Sequence, residues 1–354
     1  MSKQRVDWVD TAKGVSIVLV TFLHVVQLSE ASGLPVYRLV RLNSYLSQIR
    51  MPLFFAVAGV FAGKAIAGSW PSLLRTKVAL YAWLILIWSI VRWSMITFVV
   101  NNPDNPLEGG QITELAYPFF APITGIWFLW SLAIFFVLTK VLRALPTMTA
   151  VAVAGGISIL SVTWQSLDRS AIATFVFDNI AYRNSMLYFV FFVAAALMPQ
   201  LIFRIGVLSG RWVLPALASS FAILAIARAA PIPIFDGTAR LASSVLGVSG
   251  VLIASRIVTS NVVGQAFNYL GKNTLAIYVA QIPVICIFMA LMHPYVGQAG
   301  KLVTAAGTVF VTAMVVLLTL GIQALAKAAG AGWMYRLPRR AGDRDIVATM
   351  TKVV

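Results

Sequence analysis

The chain holds only two histidines, and one of them, His24, stands eleven residues after Lys13 in the stretch KGVSIVLVTFLH. An imidazole with its ordinary pKa of about 6.5 is largely neutral at cytoplasmic pH and can take a proton from a hydroxyl as a general base. A lysine supplies a compact positive charge for an anionic ligand. At about 100° per helical residue, His24 lies about 20° from Lys13, with Asp10 near +60°, Ser16 near −60°, Thr21 near +80° and Gln27 near −40° on the same roughly estimated wheel. All strongly polar residues from Asp10 to Gln27 except Thr11 share one half of the helix; Val15, Val18, Leu19 and Phe22 occupy the other.

Ionisable groups at membrane depth are costly and normally face a protein interior or a wet cavity. The stripe therefore predicts a polar channel with Lys13 at its cytoplasmic mouth and His24 about 16 Å above it, at about 1.5 Å per residue. A blander reading makes His24 a hydrogen-bonded interhelical residue and Lys13 a snorkelling anchor. Clustering on a single face favours the channel. A partner on the second or third helix is expected to set the tautomer of His24.

The elements that must carry this stripe are membrane helices. The 354 residues are 60 % hydrophobic and 11 % charged, and the mean hydropathy is +0.88, outside the soluble globular range. Ten apolar runs can cross the bilayer, near residues 13 to 29, 46 to 66, 76 to 99, 125 to 143, 148 to 165, 185 to 204, 211 to 229, 239 to 258, 273 to 292 and 303 to 327. The fold class is thus all-α, a polytopic helix bundle, with residues 1–336 as one membrane domain and 337–354 as a short basic tail. No cleaved signal peptide is expected, because the first run lacks a small-residue cleavage site.

With ten spans both termini share a side. That side carries 18 of 27 basic and 4 of 11 acidic residues, a net of +14, against 9 basic and 7 acidic residues, a net of +2, on the other. The positive-inside rule makes the termini cytoplasmic. The high positive charge then reports topology and contact with the anionic lipid bilayer, and requires no nucleic acid. Trp8, Trp70, Trp212 and Trp333 fit an inner aromatic belt. The longest outer connection, about 101–124, carries Asp104, Glu108 and Glu114 without Lys or Arg and is a candidate lid or acceptor-contact loop.

Arg50 is placed toward the outer end of the second span, to bind an anionic or sugar acceptor above His24 or to pair with Glu30. Trp127 is a sugar-stacking platform or an interface anchor. Lys272 and Asn273 open the ninth span as a cap or anchor, and His293 falls in an outer turn. Gly155 and Gly156 suit close helix packing. No HExxH, Cys/His cluster or carboxylate pair suggests a metal, and Cys286 alone supports no intramolecular disulfide.

Arg5-x4-Asp10-x2-Lys13-Gly14 with the following His24 resembles the first-helix motif of the acyltransferase 3 family of integral membrane acyltransferases. RMPLFFAVAG (50–59), IWFLWSL (126–132) and LGKNTLAIY (270–278) are similar to further elements of that family, in the same order. The resemblance implies transfer of an acyl group, usually acetyl from acetyl-CoA, to a hydroxyl of a carbohydrate or other envelope acceptor in a bacterial inner membrane. It implies His24 as the catalytic residue and Lys13, with the basic pair Arg75 and Lys77, at the acyl-CoA donor site. Three positions depart from the pattern: Pro52 replaces a common acidic residue, Gln281 a common second histidine and Ala58 a serine. Asp10, or Arg50 acting on the acceptor, is then expected to supply any orienting role for His24, and the acceptor is not assigned by the resemblance. A transporter or flippase using the same polar path is the alternative class, though no repeated halves with broken helices are evident; a degenerate binding scaffold is a third.

Overall fold

The computed structural model describes residues 7–101, 109–122, 125–167, 176, 178–229, 232–292 and 301–338. Every regular element among them is helical. The ten apolar runs emerge as ten long helices: α1 (Asp7–Ala31), α2 (Tyr37–Val60), α3 (Trp70–Phe98), α4 (Trp127–Leu142), α5 (Thr147–Leu167), α6 (Ile180–Leu197), α7 (Val213–Ala229), α8 (Pro233–Val258), α10 (Thr274–Met292) and α11 (Lys301–Ala328), with the shorter α9 (Val262–Lys272) between α8 and α10. Eight are long and apolar enough to cross a bilayer on their own. Of the other two, α4 has 16 residues, and α2 has a polar first half, YRLVRLNSY.

That polar half hides the true start of α2 from hydropathy. Hydropathy starts the second span near residue 46, whereas the helix begins at Tyr37, because polar side chains lower hydropathy without breaking helical hydrogen bonds. Arg50 therefore sits in the middle of α2, not at its outer end. The helix α9 was not expected. Its N-terminus is capped by Asn261, whose side chain accepts from Gly264 N at 2.8 Å, and its C-terminus is Lys272. Lys272 thus closes α9 and pairs with Asp7 at 3.2 Å instead of opening the ninth span.

The helix α9 braces the start of α1 at backbone contact. A Cβ on Gly14 would fall on the carbonyl of Phe267, and one on Gly271 on the carbonyl of Asp10. Asn268 Nδ2 donates to Asp7 O at 2.7 Å across the same seam. The glycine of the LGKNT stretch is therefore required by close packing. Gly155 and Gly156 do no such work: Gly155 makes only ordinary contact with Val190, and Gly156 faces open space.

The centre of the bundle belongs to α1 and α10, each with 67 % of its apolar window buried, while the window holding α7 has 17 % buried and lies at the rim. An aromatic core made by the RMPLFF and WFLW stretches packs against Tyr278 of α10. Phe54 stacks on Phe128 at 4.4 Å, Phe55 approaches Phe128 at 4.7 Å and Phe135 at 4.9 Å, and Phe128 meets Tyr278 edge-on at 5.3 Å. Trp70, Trp212 and Trp333 are exposed, as a belt requires. Trp8 instead packs edge-on against Phe203.

Asp104, Glu108, His293, Arg5 and the tail from 339 lie outside the described residues.

Candidate active site

One face of α1, Val20, Leu23, His24 and Gln27, lines a cavity of about 430 Å³. The i, i+3, i+4, i+7 spacing is that of a single helical face. Arg50 and Trp127 line the same cavity, so the structure brings three of the expected residues together. Sequence reasoning missed the remaining polar wall: Gln48 on α2, Ser161 and Gln165 on α5, Arg183, Asn184 and Tyr188 on α6, Arg240 on α8 and Tyr278 on α10.

His24 is 4 % exposed, and its Nδ1 lies 3.1 Å from Gln27 Oε1. An amide oxygen only accepts, so this contact makes Nδ1 the protonated nitrogen and leaves the Nε2 lone pair as the basic site. The partner is one turn along the same helix, where i, i+3 side chains meet, and not on a second or third helix.

Asp10 does not orient His24. Fourteen residues of continuous helix separate them, about 21 Å, and Asp10 is buried against Lys13, with Nζ to Oδ1 at 2.9 Å. Lys13 also lies over the ring of Phe61, 4.2 Å from its centroid. Arg50 does not pair with Glu30; its Nη1 donates to the carbonyl and the Oδ1 of Asn43, both at 3.1 Å. Trp127 is 5 % exposed and so is no interface anchor; its ring lies among Phe55, Phe128 and Tyr188.

The expected continuous channel is replaced by two cavities. Lys13 lines an apolar cleft of about 210 Å³ with Phe54, Leu80, Tyr81, Phe128 and Tyr278. Between that cleft and His24 the polar stripe is packed shut. Ser16 and Thr21 are fully buried; Ser16 donates to Arg50 O at 2.7 Å and Thr21 to Gln281 Oε1 at 2.9 Å. Gln281, at the place where relatives of the resembled family carry a histidine, thus ties α10 to α1. Among the described residues Tyr278 alone lines both cavities. Its hydroxyl oxygen accepts from Phe128 N at 3.2 Å, which leaves its own hydrogen to donate.

Arg75 and Lys77 line neither cavity. They lie in a π-helical turn, Leu74–Val78, directly before Leu80 and Tyr81 of the Lys13 cleft. Such turns interrupt a helix where side chains must be re-aimed. Arg75 is exposed, and Lys77 Nζ lies 5.4 Å from the ring centroid of Phe136. No group of three or more metal-ligating side chains exists among the described residues.

The structure thus sets a buried histidine on the wall of a partly open cavity inside a multi-pass helical bundle. The class follows from the sequence: residues 6–324 match the acyltransferase 3 family model, described as an acyltransferase domain. The chain belongs to this family and is a membrane acyltransferase. No curated protein and no solved structure matches it.

Proposed function

We propose that the protein takes an acyl group, acetyl in the first instance, from acyl-CoA in the cytoplasm of a bacterium and passes it across the inner membrane to a hydroxyl of an envelope carbohydrate, with His24 as general base. The observation that carries this reading is His24 itself: its Nδ1 is fixed by Gln27, and one residue, Tyr278, links its cavity to the cleft holding Lys13. Family membership favours this reading over the transporter alternative.

The charged end of coenzyme A needs cations at the cytoplasmic surface, and Arg75, Lys77 and Lys13 supply them. Its narrow pantetheine arm suits the apolar Lys13 cleft, which directs a thioester at Tyr278. The acceptor hydroxyl enters from the other side. His24 Nε2 takes its proton as the oxygen attacks the thioester carbonyl. The resulting oxyanion can accept from the Tyr278 hydroxyl, already polarised by the Phe128 amide. Collapse expels the CoA thiolate, which recovers the proton from His24. Because Tyr278 and Phe128 close the partition, side-chain movement there must precede transfer.

A photoreactive acyl-CoA analogue bound to the protein in lipid nanodiscs tests the donor assignment. Label is expected on the segment carrying Leu80 and Tyr81 and on α1 around Lys13. Label confined to the Arg50 side of Tyr278 would overturn it.

A further inference from the structure

Arg50 is the unusual residue of the His24 cavity. It is 6 % exposed at the centre of α2, and a buried guanidinium is tolerated only when its charge and its donors are met. Nη1 is satisfied by Asn43 O and Oδ1, but Nε has no hydrogen-bond partner among the described residues. Asn43 Nδ2, on the side chain that holds Arg50, also has none. Both of these atoms are shut off from solvent and Asn43 is not among the residues lining the cavity, so what Arg50 brings to the cavity is its positive charge. No carboxylate lines the cavity among the described residues. Asp236 is committed to the cavity-lining Arg240, whose Nε lies 3.0 Å from both of its carboxylate oxygens.

The guanidinium also sits at the right depth. Ser16 bonds the Arg50 carbonyl, so the two backbones share a level, and His24 is eight residues farther along α1, about 12 Å. The Arg50 side chain reaches back toward Asn43, seven residues or about 10 Å along the antiparallel α2. Its charged end therefore arrives near the level of His24.

We propose that the acceptor is an acidic sugar, whose carboxylate, sulfate or phosphate group is held by Arg50 while a neighbouring hydroxyl is presented to His24. Such a group is all acceptor and negatively charged, which matches a cation that meets no carboxylate in the cavity among the described residues. Trp127, in the same cavity, offers the sugar an apolar face. Arg50 is thereby a specificity-determining residue. The proposal rests on the acyl-transfer reading for the hydroxyl, but the anion site is testable without it.

Binding of matched ligands to the protein in detergent, without acyl donor, is measured by thermal shift and calorimetry, using methyl glucoside, methyl glucuronide and glucose 6-phosphate. The same three are then offered as acceptors in a CoA-release assay. At least one acidic ligand is expected to bind and to accept at about tenfold lower concentration than the glucoside, the size of one charge-assisted hydrogen bond. Arg50→Gln should erase that preference, and Arg50→Lys, which keeps the charge without the fork, should restore part of it. Equal binding of the three ligands by the wild type, which needs no variant to fold, would overturn the proposal. So would a preference that survives in Arg50→Gln. Arg50-dependent binding without CoA release would leave the anion site standing and remove the acyl-transfer reading. Transfer to neutral and acidic sugars alike would do the reverse.

Discussion

Replacing Gln27 by leucine isolates what the hydrogen bond to His24 contributes. The amide oxygen stands 3.1 Å from Nδ1 of a ring that is 4 % exposed. Its removal leaves a buried N–H without an acceptor and lets the other tautomer turn a proton toward the acceptor hydroxyl. An unsatisfied buried donor costs about 1–3 kcal/mol. If that cost falls on the reacting state, kcat drops by a factor of about 5 to 160. The acyl-CoA KM should change little, because Gln27 lines the His24 cavity and not the cleft holding Lys13. Gln27→Glu keeps an acceptor at the same spot and should recover much of the loss. The assay is CoA thiol release from acetyl-CoA by protein in nanodiscs, as a function of donor concentration. An unchanged kcat in Gln27→Leu, or an equal loss in Gln27→Glu and Gln27→Leu, would refute a positioning role for this residue.

Tyr278→Phe removes the hydroxyl at the junction of the two cavities and should lower kcat by about 10²–10³ if it is an oxyanion donor; retention of full kcat would exclude that role. Lys13→Ala should weaken acyl-CoA binding by about tenfold, the worth of one charge-assisted contact, and an unchanged Kd by calorimetry would take Lys13 out of the donor site. Gly271→Ala sets a methyl group on the Asp10 carbonyl and should destabilise the α1–α9 seam by about 1–3 kcal/mol. A thermal unfolding midpoint equal to the wild type would contradict the close packing described there.

The bundle was legible because hydropathy and helix length are strong signals: each of the ten apolar runs falls mostly within a long helix, although those near 46 to 66 and 185 to 204 run on into separate short helices, Gly63–Ala67 and Pro199–Gly206. The helix α9 escaped notice because eleven amphipathic residues cannot span a bilayer and so leave no mark on hydropathy. The stripe on α1 gave the direction of His24 correctly, since the phase of one helix is fixed by its own sequence. It could not tell which polar residues line a cavity and which meet a partner. Ser16 and Thr21 lie on the same face as His24 but are consumed by the Arg50 carbonyl and Gln281. That distinction depends on α2 and α10, which are distant in sequence. The i, i+3 spacing of His24 and Gln27 was visible and would have identified the ring's partner. Arg183 and Arg240 carried no comparable mark, because only the packing of α6 and α8 brings them to the cavity of His24.

Acyl transfer by this mechanism depends most directly on His24. Acetyl-CoA turnover and acetyl-CoA binding should be measured side by side for the wild type and His24→Ala, with an unchanged unfolding midpoint as the control for the fold. The predicted result is loss of turnover with the donor affinity retained, because the imidazole lines the acceptor cavity and not the cleft at Lys13. Turnover at the wild-type rate in His24→Ala would contradict the assignment of His24 as the base.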